Sequence, residues 1–220
     1  MAVDASVTCP RFRRDACLDW LQMITGAVLV FFMWCHMLLV SSVILTPKLM
    51  DAIAWFFEAT YMVQAGGPII FICFIAHFIL AARKIPFTAD DQERAWSHAR
   101  MLRHRDTWLW IVQVATAMII LVMGAIHMWV VLNDLPITAG RSAARVASGG
   151  WLPFYFILLP MIELHVSVGA YRIGVKWGLI TRQNRQKAKR IEVCMFVAFM
   201  LIGVVTLLVF NHLAGVFITA

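Results

Sequence analysis

The chain has 220 residues, 62% of them hydrophobic and 14% charged, against roughly 25% charged residues in a soluble globular domain. That composition excludes an ordinary water-soluble fold and puts most of the chain inside a lipid bilayer. The formal net charge of +7 would point to nucleic acid in a soluble protein. Here the basic residues stand beside the ends of apolar segments, where membrane topology accounts for them, and no nucleic-acid partner is expected.

Five apolar stretches, at 21–45, 61–82, 107–132, 151–175 and 191–217, are each long enough to cross a hydrocarbon core about 30 Å thick. None alternates with a period of two, so each is expected to be a helix whose backbone hydrogen bonds close within the segment. The expected fold is an all-α membrane protein, five transmembrane helices bundled in a single domain over 1–220.

In chain order, the leader carries Arg11, Arg13 and Arg14 together with Asp4, Asp15 and Asp19. With an apolar run too long for a signal-peptide core behind it, it predicts a first helix that inserts and stays. That helix should begin near Asp19 and pass through His36 to Thr46, where Pro47 marks a stop. The segment Lys48–Tyr61 is apolar but holds Asp51 and Glu58, which fits an interfacial turn or helix. The second span contains His77, and the connection Arg83–Asp106 is the longest outside the membrane. Its mixed charges around Pro86, Trp96, His98 and His104 suit water or a protein partner. The third span contains His127. Asn133–Gly150 is expected to be a loop, because it gathers the turn formers Pro136, Gly140, Ser148, Gly149 and Gly150. The fourth span holds Glu163 and His165. No internal repeat or low-complexity tract is expected.

Lys and Arg favour the cytoplasmic ends of short loops. Sixteen of the nineteen lie in the leader, in the connection after the second span and at or beyond the end of the fourth span; only Lys48, Arg141 and Arg145 lie on the other side. The N-terminus is therefore expected in the cytoplasm and the C-terminus in the periplasm. Five cysteines show no C-x-x-C spacing, and Cys35, Cys73 and Cys194 read as small packing residues within helices. Without C-x-x-C-H there is no covalent haem attachment.

The first four spans each carry one histidine, His36, His77, His127 and His165. An ionisable group at such depth is costly enough to point to function. One alone would be explained by a hydrogen bond to a neighbouring helix; one on each of four helices needs a shared cause. At about 1.5 Å of rise per residue, His77 and His165 lie about 9 and 16 Å from the basic end, and His127 and His36 about 9 and 15 Å from the opposite end. Each pair on separate helices meets the need of a haem for two opposed imidazoles. His77 and His165 are expected to hold an inner haem b, and His36 and His127 an outer one. A structural zinc site fits poorly, since it gathers four ligands in one place. Gly26, Gly124 and Gly169 are small enough to face a flat cofactor.

Other polar residues take supporting parts. Glu163, two residues from His165, reads as a proton-transfer group or as a neutral acid bonded to a neighbouring helix. Glu58 reads as an acceptor of quinol protons or as a surface carboxylate. Haem propionates require cationic or hydrogen-bonding partners, for which Gln22, Trp110, Arg145, Tyr155 and Lys176 are suited, although Trp110 and Tyr155 also fit an aromatic belt. His98, His104 and His212 are expected not to be ligands.

The segments F-M-W-C-H-M around His36, A-H-F-I-L-A-A-R-K-I-P around His77, M-L-R-H-R-D-T-W-L-W leading to G-A-I-H-M around His127, and E-L-H-V-S-V-G-A-Y-R around His165 together carry a resemblance. The chain resembles the di-haem cytochrome b membrane-anchor subunit of quinol:fumarate reductase and succinate:quinone oxidoreductase, in its single-chain, five-helix form. The resemblance covers nearly the whole chain. It implies an iron–sulfur subunit and an FAD-containing flavoprotein subunit docked at the cytoplasmic face of the inner membrane, menaquinol as electron donor, two haems b as carriers, and a dimer of heterotrimers as one arrangement. His36, His77, His127 and His165 match the family's ligands, Glu163 its transmembrane proton-pathway glutamate, and Glu58, by its spacing from His36, its quinol-site glutamate. The family's propionate contacts fall on Gln22, Trp110, Arg145, Tyr155 and Lys176. The chain itself is not expected to bind fumarate. Succinate oxidation by the same machinery, a cytochrome b of a hydrogenase or formate dehydrogenase, and a haem-free anchor or transporter are the alternatives.

Overall fold

Helix α1 runs Cys9–Ser41, starting well before Asp19. Apolarity marks the depth of lipid, whereas hydrogen bonding marks the length of the helix. Nothing between Asp15 and Gly26 breaks the helix, and Pro10 stands in the first turn, where its missing N–H costs little. The structure is a computed structural model that describes residues 9–219. Asp4 lies outside them, as do the side chains of Arg11 and Arg13.

After a 3-10 turn at Ser42–Ile44, the segment expected to be interfacial is helix α2, Pro47–Ala59. Thr46 caps it by accepting from Leu49 N at 3.0 Å, and Pro47 presets the first turn. Tyr61, at φ 57°, breaks the path, and α3 follows at Met62–Ala82. The connection after it contains α4, Ala89–Leu102, with Thr88 as its cap and Asp90 and Asp91 in its first turn. Helix α5 is Arg105–Leu132.

The expected loop at 133–150 holds a short helix, α6, Ala139–Ala147. Thr138 caps it by accepting from Arg141 N at 3.2 Å. Its buried residues Ala139, Ala143 and Val146 share one face by their spacing of four and three. Pro136, Gly149 and Gly150 fall outside it and Gly140 within its first turn, so the turn formers mark its limits rather than exclude it. Helices α7, Trp151–Lys176, and α8, Arg185–Thr219, complete the chain.

Among the described residues five helices, α1, α3, α5, α7 and α8, are long and apolar enough to cross a membrane. Helix α1 packs on α3, α5 on α7, and α7 and α6 on α8. Phe31, Ile72, Val122, Ile157 and Leu201, one from each, are exposed, as lipid-facing residues are. At one end α2, α6 and the end of α8 close a buried cluster of Val43, Met50, Ala139, Ala143, Val146, Leu207, Phe210 and Ala214. The opposite, basic end is tied by ion pairs. Asp19 on α1 meets Arg83 Nη2 at 3.0 Å, Lys84 Nζ at 2.7 Å and Lys176 Nζ at 3.6 Å. Asp106 on α5 meets Lys189 at 3.3 Å and Arg185 at 3.9 Å on the α8 side.

Candidate haem site

Between the helices lies a cavity of about 1250 Å³ lined by all four histidines. Protein interiors are otherwise close-packed, and a pocket for one small ligand occupies about 300–1,000 Å³. The volume lies above that range. Gln22, Trp110, Arg145, Tyr155, Glu163 and Lys176 also line it; Glu58 does not.

The expected outer pair is brought together. His36 on α1 and His127 on α5 have ring centroids 6.0 Å apart at 63°. His127 Nδ1 lies 3.2 Å from Tyr155 Oη, and His36 stacks on Phe32 at 5.8 Å. Tyr155, suited by type to a propionate, thus has its hydroxyl beside an outer histidine.

The expected inner pair is held by a matched device on each side of the bundle. His77 Nδ1 on α3 lies 3.1 Å from the main-chain oxygen of Gln22 and 3.1 Å from Thr25 Oγ1, both on α1. His165 Nδ1 on α7 lies 3.1 Å from the main-chain oxygen of Gln113 and 3.2 Å from Thr116 Oγ1, both on α5. A carbonyl oxygen can only accept, so each Nδ1 carries the proton and each Nε2 keeps its lone pair. Metal-binding histidines are usually oriented in this way, by a carbonyl or carboxylate on the nitrogen away from the metal.

Glycine makes the close approach possible. A Cβ on Gly26 would stand 2.9 Å from His77 Cε1 and 3.4 Å from its Nδ1, so the ring lies against the bare backbone of α1. One on Gly169 would meet Gln113 Nε2 at 3.2 Å, and one on Gly124 would meet Ile120 Cγ2 at 3.3 Å. All three glycines line the cavity, and their immediate neighbours are protein atoms.

The remaining polar groups divide. Gln22 Oε1 is buried with no hydrogen-bond partner among the described residues, as is the hydroxyl of Tyr171, which also lines the cavity. Arg145, 12% exposed, pairs with Asp134. Lys176 is half exposed on Asp19. Glu163 is 3% exposed. Glu58 Oε1 accepts from Ile137 N, and Asp51 Oδ1 accepts from Ala139 N at 2.7 Å; seven residues apart on one face of α2, the two acids hold the start of α6.

The residues fit haem. Three of the four imidazoles have Nδ1 engaged, Gln22 and Tyr171 carry buried polar atoms without partners among the described residues, and the helices stand apart where the four histidines line the cavity. Among the described residues no three His, Cys, Asp or Glu side chains gather as a metal-ligand set. Sequence reasoning missed Thr25, Gln113, Thr116, Tyr171 and Arg172. The signal for the first three was present as spacing: R-D-x6-Q-x2-T-x10-H occurs at Arg14, Asp15, Gln22, Thr25 and His36, and again at Arg105, Asp106, Gln113, Thr116 and His127.

The family described as the succinate dehydrogenase/fumarate reductase transmembrane subunit matches residues 89–207. The fumarate reductase cytochrome b subunit of Helicobacter pylori is 34% identical over 199 residues, covering 86% of this chain and 78% of that protein. The fumarate reductase cytochrome b subunit of Wolinella succinogenes is 34% identical over 208 residues, covering 88% and 81%. The succinate dehydrogenase cytochrome b558 subunit of Bacillus subtilis is 24% identical over 147 residues, covering 64% and 69%.

Proposed function

Because the chain belongs to the succinate dehydrogenase/fumarate reductase transmembrane subunit family, we propose that it is the electron-transfer anchor of a quinol:fumarate reductase, one cytochrome b domain over its whole length. It is a multi-pass membrane subunit of that oxidoreductase class. His77 and His165 hold an inner haem b, and His36 and His127 an outer one. When bound, the haems supply one-electron carriers between menaquinol and the iron–sulfur and flavoprotein subunits on the cytoplasmic side. The observation that carries this reading is the seating of His77 and His165, with Nδ1 on a main-chain oxygen and Nε2 left as the donor, in the same cavity as the His36–His127 pair.

The chain's own residues do the binding and the proton work. Gln22, Trp110, Arg145 and Lys176 line the cavity where anionic propionates require donors or cations, and Tyr155 orients His127. Glu58 takes a proton from quinol on the side of α2 and α6. Glu163, buried in α7 two residues from His165, carries a proton through the bundle. Helix α4 and the basic loop after α7 meet the cytoplasmic subunits, placing the N-terminus in the cytoplasm and the C-terminus in the periplasm. Fumarate is reduced to succinate in the flavoprotein, outside this chain.

Succinate oxidation is the second reading, favoured by the Bacillus relative; the ligands do not encode direction. Purification of the intact complex tests both. Two b haems per chain in a pyridine haemochrome assay, two separable midpoints, and co-purified iron–sulfur and flavin subunits are expected. No haem, or a periplasmic metalloenzyme as partner, would overturn the proposal. Comparing menaquinol–fumarate with succinate–quinone turnover assigns the direction.

A further inference from the structure

Contrary to the expectation of no internal repeat, the spacing shared by Arg14–His36 and Arg105–His127 is also a repeat in space. Helices α1, α2 and α3 form a long–short–long unit, and α5, α6 and α7 form another. In each, the first long helix carries one outer histidine and, eleven residues earlier, a threonine that touches the inner histidine of the second long helix. Arg14, Asp15, Gln22, Thr25 and His36 stand in the register of Arg105, Asp106, Gln113, Thr116 and His127 without an insertion.

We propose that Thr25 and Thr116 are equivalent positioning residues that lock the Nδ1–H tautomer and ring orientation of His77 and His165, and thereby set the redox potential of the inner haem. This rests on the haem reading given above.

The hydrogen-bond inventory leaves the threonines one role. Thr25 Oγ1 lies 2.8 Å from the main-chain oxygen of Leu21, and Thr116 Oγ1 lies 2.8 Å from that of Val112. Each hydroxyl has a single proton, which it donates back along its own helix, so it faces the imidazole as an acceptor. That back-bond also fixes χ1, since a threonine in a helix chooses between rotamers according to whether its oxygen reaches the preceding turn. The oxygen is therefore held in place before the histidine meets it. The imidazole N–H is shared between two acceptors, a carbonyl and a hydroxyl, on each side. Valine has nearly the shape of threonine and could pack there equally well, so packing alone does not require the hydroxyl.

The sign of the effect follows. Acceptors on Nδ1–H increase the basicity of Nε2, and a more basic donor favours ferric iron. Removing one acceptor should favour the ferrous state.

The test uses Thr25→Val, Thr116→Val and the matching serine variants in the intact complex, with haem content, redox titration and ferric low-spin EPR as readouts. Each valine variant should retain two haems and move only the inner midpoint upward, by about two- to tenfold in the redox equilibrium, tenfold being 59 mV for one electron. The inner EPR g-values should move with it, and serine should restore both. Should a valine variant fail to assemble, alanine against serine at the same position reads the same difference. Two haems with unmoved midpoint and g-values, equal movement of both haems, or serine behaving like valine would sink the threonine role while leaving the haem reading intact. No haem in the unsubstituted complex would sink the haem reading itself.

Discussion

Arg172 on α7 reaches across to Gln113 on α5, Nη1 to Oε1 at 2.9 Å, two turns beyond His165 on the same helix. Gln113 therefore serves two groups at once. Its main-chain oxygen seats His165 and its side chain holds a guanidinium at the wall of the cavity. With the proposed inner haem held by His77 and His165, this fixed positive charge on its basic side would stabilise the reduced, less positive iron. Arg172→Gln should keep both haems, because the carbonyl that seats His165 is untouched, and should lower the inner midpoint by a few-fold in the redox equilibrium. This shift is opposite in sign to that expected for the valine variants of Thr25 and Thr116. Redox titration of the complex reads the sign directly.

The outer pair makes a second prediction. His36 and His127 come from helices α1 and α5 and meet each other ring to ring, with His127 on Tyr155; among the described residues neither has a hydrogen bond or ring contact to His77 or His165. His36→Ala or His127→Ala should each remove one haem per chain and leave the inner midpoint within a few-fold of its starting redox equilibrium. Pyridine haemochrome and titration measure both. Spectra unchanged from the parent would show that the outer assignment is wrong.

Gly26 gives a packing prediction. A methyl there would lie 2.9 Å from His77 Cε1, closer than non-bonded carbon atoms tolerate, while Thr25 and Gln22 hold the ring on the same side. Overpacking of this kind costs about 1–3 kcal/mol. Gly26→Ala should therefore reduce inner-haem occupancy and spare the outer haem. Gly150→Ala, where nothing lies within 4 Å, should leave both unchanged. Haem content after mild heating separates the two.

The five spans and the four histidines were legible because lipid imposes a length and makes ionisable residues expensive. Those are side-chain properties that a sequence displays. The seats of His77 and His165 were not legible in the same way. Half of each seat is a main-chain oxygen, which every residue has, and Gln22 drew attention only for its side chain. Thr25 and Thr116 look like ordinary small polar residues of membrane helices until the histidines supply the register. Helix α6 was hidden because Pro136, Gly149 and Gly150 stand around it, while the features that form it, the Thr138 cap and a buried alanine face, are weak alone. The early start of α1 was hidden because hydropathy does not report where a helix ends in water.

On the opposite side, Asp51 and Glu58 differ in what their loss should do. Asp51 accepts from the N–H of Ala139, which is fully buried. Asp51→Ala leaves that donor unpaired at a cost of about 1–3 kcal/mol and should lower the thermal midpoint of the complex. Glu58→Gln retains an oxygen that can accept from Ile137 N and removes only the charge. It should keep fold and haems and slow menaquinol oxidation by tenfold or more if Glu58 accepts the quinol proton. Normal turnover in Glu58→Gln would confine that residue to holding α6.

Glu163 allows the same separation of shape from proton chemistry deeper in the bundle. It is 3% exposed, lines the cavity and stands in the same turn of α7 as His165, whose seat on Gln113 and Thr116 does not involve it. Glutamine matches the volume and hydrogen-bonding reach of a protonated glutamate but cannot release and regain a proton near neutral pH. Glu163→Gln should therefore leave haem content and EPR signature unchanged while slowing quinol-linked turnover by tenfold or more and altering the charge moved per electron in proteoliposomes. Electron delivery to the cytoplasmic subunits from an artificial donor that bypasses quinol should remain normal, because it needs no proton through α7. If quinol-linked turnover and charge movement both match the parent, Glu163 is a buried acid of the bundle and the proton crosses elsewhere.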